Sequence, residues 1–347
     1  MARPTIRRRE NEDRSQGLLT VIGAINWDVS IFEDSFAGLG EEVPVRDVEE
    51  FSGGKGANVA VAAARTLGPG NAAFIGALGT DEVAKRQVRE LKGEGVVTEG
   101  VVTIEGASSG RAYVLVNREG RKSIHTYFGA NALIRPSHLE VAGPRGILRR
   151  TTTLVVMDTP TEVALAAVRR TRRSGVITIY SPGVRVREGR DALAVVIADT
   201  DFLVLDKAEL VRLGGSRDAA QASELLQKAF PELTVVTTYG KQGCLIMSRR
   251  ATTRLEGVDL SILGMKAVNS TGSGDSFLGV FASYLSSGWS AVEAAKWANL
   301  AGALKATRWE TRGSPTKTML QATMKRLGTL LVERRATKAD GISTTRA

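Results

Sequence analysis

The sequence predicts an α/β fold, in which a doubly wound, mainly parallel sheet is flanked by helices and a small β-sheet is inserted through the first third of the chain. Two patterns in the 347 residues support this prediction. From residue 153 onward, uniformly apolar strands alternate with helices, which is typical of a parallel sheet covered on both faces. Before that point, short strand-like segments are separated by Gly-containing turns, as expected for a smaller, exposed sheet.

The predicted elements follow one another with short turns between them. Strands of the large sheet are predicted, from apolar runs, at 18–24, 73–77, 153–157, 176–180, 202–205 and 233–238. Strands of the small sheet are predicted within 29–48 and, as antiparallel strands, at 101–104, 110–116 and 122–126. Helices are predicted at 59–67, 81–94, 162–173, 207–214, 219–230, 274–286, 291–307 and 316–335. Such sheets bind ligands beyond the carboxyl ends of their strands, so the turns there are the candidate functional segments.

Composition narrows the classes of function. The formal net charge is +10, but aromatic residues make up only 5% of the chain, so nucleic acid is not an expected partner. The charge is better explained by a surface that attracts anionic nucleotides. No apolar run is long enough to span a membrane. The single cysteine, Cys244, excludes an internal disulfide and favours a reducing, cytoplasmic location.

No low-complexity linker interrupts residues 18–335, so this range is predicted to form one domain. Residues 1–17 are polar and Arg-rich and lack the apolar core of a secretory signal, so they are predicted to be a flexible basic arm. Residues 336–347 are predicted to be a disordered tail.

The most informative motif is Gly272-Ser273-Gly274-Asp275, a Gly-rich turn that leads into an apolar helix. The N–H groups at a helix start are unpaired and can bind an anion such as a phosphate. An aspartate is also favoured in a first helical turn for purely structural reasons. In this longer pattern, however, a carboxylate beside an anion site suits the removal of a proton from a hydroxyl that attacks the bound phosphate. The motif therefore predicts phosphoryl transfer to an alcohol.

Two further motifs are candidate substrate sites. The segment Gly53-Gly54-Lys55-Gly56-Ala57-Asn58 is not a Walker A loop, because the required spacing is absent. It is either a Gly-rich helix start or a site where Lys55 and Asn58, three residues apart, face one polar ligand. Asn26-x-Asp28 follows the first strand and is either an Asx turn or a carboxylate site for sugar hydroxyls.

Together these segments resemble the ribokinase-like, PfkB-type carbohydrate kinases, and within that family most closely the ribokinases. The resemblance covers about residues 18 to 330. It rests on four segments in the family's order, which are Gly23-x-x-Asn26-x-Asp28, Gly53-Gly54-Lys55-Gly56-Ala57-Asn58, Gly129-Ala130-Asn131-Ala132 and Thr271-Gly272-Ser273-Gly274-Asp275. The resemblance implies an α/β domain with a β lid formed from segments within about 28–52 and 97–127. It also implies ATP as donor with Mg²⁺, and a possible homodimer formed through the lid.

The resemblance assigns roles to particular residues. Catalysis would depend on Asp275 as base and on the backbone of Gly272, Ser273 and Gly274 as the anion hole. The residues expected to hold the sugar are Asn26, Asp28, Gly54, Lys55, Asn58 and Asp158. The residues expected to contact the nucleotide are Asp206, Thr238, Gly240, Gly243, Thr271 and Gly313. Glu209 would act near Mg²⁺, through a bridging group, and Asn269 marks the place of an activating monovalent cation.

Three positions depart from the pattern of the ribokinases. Asp206 replaces the amide of the family's Asn-x-x-Glu motif, while Glu209 is retained, which could change metal or phosphate contacts. Asn269 stands where ribokinases commonly have an aspartate tied to the monovalent cation, so activation by K⁺ is placed in doubt. Asp158 is one methylene shorter than the usual glutamate, so either the acceptor is placed differently or it is a larger molecule.

The sequence therefore predicts an ATP- and Mg²⁺-dependent kinase that phosphorylates a hydroxymethyl group of a sugar, most simply ribose to ribose 5-phosphate. A kinase of the same family acting on a nucleoside or a sugar phosphate is the first alternative. Trp27, Tyr113 and Phe128 are candidate walls for a nucleoside base, although each could equally pack within the lid. A non-catalytic regulator that binds a sugar or nucleotide is the alternative from another class.

Overall fold

A computed structural model describes residues 17–172 and 175–343. The predicted basic arm, apart from Gly17, lies outside the described residues. In chain order the strands are β1 (Leu18–Gly23), β2 (Asn26–Glu33), β3 (Val45–Gly53), β4 (Ala72–Leu78), β5 (Val97–Thr103), β6 (Gly110–Val116), β7 (Lys122–Tyr127), β8 (Thr151–Met157), β9 (Ile177–Ser181), β10 (Phe202–Asp206), β11 (Thr234–Thr238), β12 (Cys244–Met247) and β13 (Thr252–Leu255).

The α-helices of the described chain are α1 (Lys55–Leu67), α2 (Glu82–Gly93), α3 (Ala142–Arg150), α4 (Thr161–Arg172), α5 (Arg190–Ile197), α6 (Lys207–Gly214), α7 (Ala219–Ala229), α8 (Ser273–Ser286), α9 (Ala291–Ala306) and α10 (Lys317–Ser343). Helix α10 continues into the segment predicted as a tail from residue 336. Short 3₁₀ turns, such as Gly129–Ala132 and Gly183–Glu188, connect some of these elements. Among the described residues, no helix combines the length and apolar character that a membrane crossing needs.

The strands form two sheets, which confirms the predicted architecture. The large sheet has nine strands in the order β13-β12-β11-β10-β9-β8-β1-β4-β5, and the strands from β11 to β5 are parallel. Strands β12 and β13 add an antiparallel hairpin at one edge. The small sheet has the order β3-β2-β6-β7 and contains one parallel pair, β2 with β6.

Helices cover both faces of the large sheet, and the side chains of β1 show why. Leu19 and Val21 are buried in the core formed with α1, α8 and α9, whereas Leu18 and Ile22 are buried in the core on the opposite face. Successive side chains of a strand point to opposite faces, so a strand covered on both sides must be apolar throughout. This is why the parallel strands appear as continuous apolar runs in the sequence.

One predicted strand belongs to the other sheet. The sequence predicts that 101–104 is an antiparallel strand of the small sheet, but β5 is the parallel edge strand of the large sheet, beside β4. Gly100 makes this pairing possible, since a Cβ there would come within 2.5 Å of the main-chain oxygen of Phe74. The small sheet thus contains only β2, β3, β6 and β7 within the described chain.

Candidate active site

The turns singled out from the sequence meet at one edge of the large sheet, beyond the carboxyl ends of its parallel strands. β1 leads to Asn26, β8 leads to Asp158, and β10 ends at Asp206. Helix α1 begins here at Lys55 and helix α8 at Ser273. Because a helix N-terminus has unpaired N–H groups and a partial positive charge, this edge of the sheet suits an anionic ligand.

Asp275 lies in the first turn of α8 and is buried, with only 7% of its surface exposed. Its Oδ2 accepts a hydrogen bond from Nδ2 of Asn58 at 2.9 Å. Burial raises the pKa of the Asp275 carboxyl, and the hydrogen bond from Asn58 and the charge of Lys55 only partly offset this rise. A buried carboxylate with a raised pKa beside a helix N-terminus can accept a proton from a hydroxyl.

The turn before α8 takes its shape from Gly272, whose φ of 84° lies in the left-handed region. The N–H of Ser273 donates to the main-chain oxygen of Ser270 at 3.1 Å, which closes the turn. The N–H groups of Gly274 and Asp275 belong to the first turn of the helix, which provides no acceptors for them. Ser273 Oγ is buried and has no hydrogen-bond partner among the described residues. These groups are available to an anion.

The carboxamide of Asn58 connects Asp275 to a buried arginine. Nε of Arg312 donates to Oδ1 of Asn58 at 3.2 Å, and its Nη2 donates to the main-chain oxygen of Gly53 at 2.8 Å and to Oε1 of Gln87 at 3.2 Å. A guanidinium can only donate, so Oδ1 of Asn58 must face Arg312 and Nδ2 must face Asp275. Arg312 thereby fixes the orientation of the amide that contacts the candidate base.

The sequence analysis missed Arg312. The residue lies in an irregular loop directly before Gly313, where no periodicity marks it as buried. Only 8% of its surface is exposed, and burial lowers the pKa of its guanidinium to about 10, while Glu90 and Asp28 raise it. A buried charge must be paired or hydrogen-bonded. The one feature of the sequence that could have pointed to Arg312 is that a basic residue stands next to a segment expected to bind a ligand.

Asp28 lies on β2, on the side of the small sheet that faces this network. Burial raises the pKa of its carboxyl to about 7, the charge of Arg312 lowers it, and the negative charge of Asp275 raises it. Gly53, its neighbour on β3, leaves the space that the carboxylate occupies, since a Cβ there would come within 2.2 Å of Cγ of Asp28. Asp28 and Asp275 are thus placed around one polar space.

The side chain of Asn26 is expected to bind the sugar, but in the structure it is hydrogen-bonded to another residue of the chain. Its Oδ1 accepts a hydrogen bond from Nδ2 of Asn131 at 3.0 Å. Asn131 also bonds both main-chain groups of Ile25, at 2.9 Å each. The segment Gly129–Ala132 therefore holds the turn between β1 and β2, and the Asn26 carboxamide oxygen is already engaged.

Trp27 and Tyr113 lie on the wrong side of the small sheet to contact a base. Neighbouring residues of a strand point to opposite faces, so Trp27 points away from the side of Asp28. It packs with Val29 and Val83, and Tyr113 packs against the same cluster. These two aromatic residues stabilise the small sheet.

Lys55, the first residue of α1, lies among carboxylates. Burial lowers the pKa of its ammonium, but the negative charges of Asp158, Asp275 and Glu209 outweigh this effect, so its pKa is raised. The preceding Gly54 has a φ of 87°, and a Cβ there would come within 2.4 Å of the main-chain nitrogen of Asn26. Lys55 therefore stays charged between the candidate base and the other acidic residues.

Asp158 is the only non-glycine residue with positive φ, at 52°, in the described chain. Its Oδ1 is buried and has no hydrogen-bond partner among the described residues. Burial raises the pKa of the carboxyl, while the charges of Lys55 and Arg185 lower it. Strained residues with unmet hydrogen-bonding capacity are typical of ligand sites, so Asp158 is placed and chemically suited to bind a hydroxyl.

Asp206 and Glu209 form a capping box at the start of α6. Glu209 N donates to Oδ1 of Asp206 at 2.8 Å, and Asp206 N donates to Oε2 of Glu209 at 2.9 Å. Burial raises the pKa of Glu209 to about 7. Each carboxylate has one further oxygen that the capping box does not use. No group of three or more His, Cys, Asp or Glu side chains that could hold a metal ion occurs in the described chain.

The residues expected to contact the nucleotide fall into two groups. Thr271 and Gly313 lie just before α8 and in the loop after α9, and the others lie around the end of β11. Thr238 is paired in register with Asp206. Gly240 begins the following 3₁₀ turn. Gly243 closes that turn against β13, because a Cβ there would come within 2.0 Å of the main-chain oxygen of Leu255. Gly243 therefore has a packing role whether or not it approaches a ligand.

The small sheet touches the loops at the start of α8. Nζ of Lys122, on β7, donates to Oδ1 of Asn269 at 2.8 Å and to Oγ1 of Thr271 at 3.0 Å. On the other side, the ring of Trp309 stacks on Phe32 with 5.8 Å between centroids, and its Nε1 donates to Glu49 at 2.7 Å. The small sheet is therefore docked over the site, as a lid would be.

Lys305, near the end of α9, is a second buried cation that the sequence analysis missed. None of its surface is exposed, and Nζ donates to the main-chain oxygens of Asn269 at 2.9 Å and of Arg308 at 3.3 Å. Burial lowers the pKa of Lys305 to about 8, Lys122 also lowers it, and Glu310 raises it. The ammonium is therefore charged at neutral pH.

Comparison with known proteins agrees with this geometry. A family model described as pfkB family carbohydrate kinase matches residues 16–318. The chain belongs to this family. It is thus a carbohydrate kinase, and the alternative of a non-catalytic regulator is set aside.

A solved structure of ribokinase from Thermotoga maritima is similar to this chain, with a TM-score of 0.77 at 24% identity. The match covers 89% of this chain and 99% of that one. At this identity the likeness shows the ribokinase-like fold.

Three curated relatives of this pfkB family member have sugar-related names. A ribokinase of Staphylococcus aureus is 26% identical, with 77% of this chain and 86% of that protein covered. An ATP-dependent ribose-1-phosphate kinase of Halopiger xanaduensis is 28% identical, with 85% and 93% covered. A bifunctional ribokinase/ribose-5-phosphate isomerase A of Fructilactobacillus sanfranciscensis is 29% identical, and the chain spans only 48% of that longer protein.

Proposed function

We propose that this carbohydrate kinase transfers the γ-phosphoryl group of ATP to a hydroxymethyl group of a sugar, with ribose 5-phosphate as the product from ribose. The observation that supports this most directly is the buried Asp275 carboxylate beside the anion-binding turn of α8. The names of the ribokinase relatives support ribose as the acceptor.

In the proposed reaction, the sugar hydroxyl oxygen attacks the γ-phosphorus. A new P–O bond forms, the bond to the β-phosphate oxygen breaks, and ADP leaves. Asp275 accepts the hydroxyl proton, and the N–H groups of Gly274 and Asp275 stabilise the charge on the transferred group. Asp28 and Asp158 bind sugar hydroxyls, and Lys55 holds a positive charge near Asp158 and Asp275.

A magnesium ion, when bound with the nucleotide, would neutralise phosphate charge. Glu209 and Asp206 would hold it through water molecules with the oxygens that their capping box does not use. Thr238 and Gly240, at the end of β11, and Thr271, just before α8, are proposed to contact the nucleotide. Gly313 is proposed to do so as well, because the next residue, Ser314, is hydrogen-bonded to Ser276 of α8.

The test is a phosphotransfer assay with ATP, Mg²⁺ and a panel of ribose, other pentoses, hexoses, sugar phosphates and nucleosides. Asp275→Asn keeps the shape of the side chain but cannot accept the proton. Its kcat should fall by about 10²- to 10⁴-fold, the range for loss of a general base, while KM changes little. A kcat equal to that of the unmodified protein would remove Asp275 from the mechanism.

A sugar phosphate is the second candidate acceptor, and Arg185 favours it. The guanidinium of Arg185 is close enough to Asp158 to lower the pKa of that carboxyl. It lies over the ring of Phe128 at 5.7 Å, and its buried Nε has no hydrogen-bond partner in the described chain. An unfilled donor beside the acceptor site suits a phosphate. The relative named ribose-1-phosphate kinase supports the same acceptor class.

Arg185→Met separates the two acceptors. For a sugar-phosphate kinase, the substitution should raise KM for ribose 1-phosphate by about tenfold or more, because a charge-assisted hydrogen bond contributes roughly 1.5–3 kcal/mol. For a ribose kinase, KM for ribose should hardly change. The steady-state kinetics of both substrates, measured on both proteins, decide between these outcomes.

A homodimer formed through the lid is also proposed. The strands of the small sheet expose several apolar side chains, which are Val45, Val48, Ile124 and Tyr127. A second copy of the lid would cover some of this apolar surface. Light scattering coupled to size exclusion would give twice the chain mass of 37.0 kDa for such a dimer, and a monomer mass at all concentrations would contradict it.

A further inference from the structure

Lys305 occupies an unusual position for a lysine. It is completely buried, and main-chain carbonyl oxygens accept the hydrogen bonds of its ammonium. One carbonyl belongs to Asn269, at the start of the turn that leads into α8. The other belongs to Arg308, in the loop that follows α9. The ammonium therefore joins the two loops that border the anion-binding turn.

These two loops are also held together through their backbone. The N–H groups of Val268 and Asn269 both donate to the main-chain oxygen of Ala306, at 2.7 and 3.0 Å. Nδ2 of Asn269 donates to the main-chain oxygen of Trp309 at 2.8 Å. The side chain of Lys305 passes directly beneath the turn, since a Cβ on Gly272 would lie 3.4 Å from Cε of Lys305. A fixed positive charge thus lies immediately behind the phosphate-binding N–H groups.

A cluster of carbonyl oxygens is the kind of site that binds K⁺. The resemblance to ribokinases places an activating monovalent cation near position 269, but the residues of this chain do not fit one. The carbonyl oxygen of Asn269 already accepts from Lys305. The carboxamide oxygen of Asn269 accepts from Lys122 and from the N–H of Thr271. An amide in place of a carboxylate also removes the negative charge that would attract a free cation.

We propose that the ammonium of Lys305 takes the place of a monovalent cation behind the anion-binding turn, so that the chain catalyses phosphoryl transfer without K⁺. An ammonium carries the same single charge as K⁺ and, like K⁺, binds carbonyl oxygens, here those of Asn269 and Arg308. This inference rests on the proposed phosphoryl transfer, because the charge acts by holding the turn that binds the transferred group.

The experiment compares the unmodified protein with Lys305→Ala, in which the ammonium is lost and a cation-sized space is left. Lys296→Ala is the matched control, because Lys296 lies on the same helix with its side chain half-exposed and forms an ion pair with Glu293. Each protein is assayed with ATP, Mg²⁺ and its best acceptor, first with choline chloride as the only added salt and then with KCl, NH₄Cl or LiCl at equal ionic strength.

The unmodified protein and Lys296→Ala should have equal rates in choline and in KCl. Lys305→Ala should lose roughly 10²-fold in kcat in choline, by analogy with the loss of one preorganised electrostatic group. KCl or NH₄Cl should restore part of that rate, and LiCl should not. Activation of the unmodified protein by K⁺ would overturn the proposal, and so would a Lys305→Ala rate that no cation changes.

A second readout does not depend on turnover. The melting temperature of Lys305→Ala should rise on addition of KCl or NH₄Cl, and that of the unmodified protein should not. If no acceptor is phosphorylated, the proposed function fails while melting still tests the role of Lys305. If Lys305→Ala does not fold, it is replaced by Lys305→Met, which keeps most of the side-chain volume. A melting temperature of Lys305→Met below that of the unmodified protein in every salt would support the same role. A Lys305→Met as stable as the unmodified protein would contradict it.

Discussion

At the residue scale, the orientation of one carboxamide determines the surroundings of the candidate base. Asn58 donates to Asp275 and accepts from Arg312, so its amide cannot turn over without placing two donors or two acceptors together. The hydrogen bond that it donates favours the ionised form of the Asp275 carboxyl, whereas burial favours the protonated form. A side chain on a different helix thus lowers the pKa of the candidate base against the effect of burial.

Replacing Asn58 by Leu should therefore shift the pH dependence of the reaction. Without the hydrogen bond from Asn58, the pKa of Asp275 rises further, because burial remains and the lowering interaction is gone. A base acts only when it is deprotonated, so kcat/KM should fall at a higher pH on the acid side than in the unmodified protein. The pH–rate profile measures this shift. Asn71→Leu, in an exposed turn, is the control, and identical acid limbs in all three proteins would contradict the role of Asn58.

At the element scale, two glycines at the start of α8 differ in how well they should tolerate a side chain. Gly272 has no room for one, whereas Gly274 has. Gly272 has a positive φ, and a Cβ there would come within 2.2 Å of the main-chain oxygen of Thr311. Gly274, two residues later, lies inside the helix, and a Cβ added there would meet no atom within 4 Å among the described residues outside its own helical backbone. Two glycines of the same motif thus have different physical requirements.

Gly272→Ala and Gly274→Ala should differ in stability. Gly272→Ala should lower the free energy of unfolding by more than about 1 kcal/mol, because alanine is strained at positive φ and its Cβ would clash with backbone. Gly274→Ala should leave it unchanged or raise it by up to about 1 kcal/mol, since alanine favours a helix. Urea unfolding of both variants gives the two values. Equal losses would show that the turn adapts to a side chain at residue 272.

At the scale of the whole molecule, the site lies between the two sheets. The large sheet supplies the turns after β1, β8 and β10, and the small sheet supplies Asp28 and the docking contacts of Lys122 and Trp309. A lid that excludes water limits wasteful hydrolysis of the donor. We therefore expect the hold on the small sheet to limit hydrolysis of the phosphoryl donor when no acceptor is bound.

Trp309→Ala should loosen the lid without unfolding the chain. The substitution removes the stacking on Phe32 and the hydrogen bond to Glu49. Amide hydrogen exchange in residues 45–53 should become faster, and ATP hydrolysis without acceptor should increase. Trp289→Ala removes an aromatic contact with Tyr284 at the far end of α8 and serves as the control. Unchanged exchange in residues 45–53 of Trp309→Ala would mean that other contacts hold the lid.

The α/β class and the order of the elements could be predicted from the sequence, and the turns that it singled out meet at one edge of the large sheet. These features depend on local patterns, since apolar periodicity sets the elements and glycine marks turns such as the one before Asp275. The assignment of 101–104 to the small sheet was wrong, because a short strand-like segment can pair with either sheet. The pairing of this strand was decided by the narrow space beside β4, which accepts Gly100 because it has no side chain.

The tertiary structure alone decided which charged side chains surround the base. Asn58 and Asp275 are 217 residues apart, and Arg312 and Asn58 are 254 residues apart, so no local pattern could pair them. In the sequence, Lys305 is one more residue of the helix α9, and its position there does not show where its ammonium binds. In the structure, the ammonium donates hydrogen bonds to carbonyl oxygens of two loops. A buried charge is stabilised by the groups that the fold brings around it, and those groups are fixed only when the chain is packed.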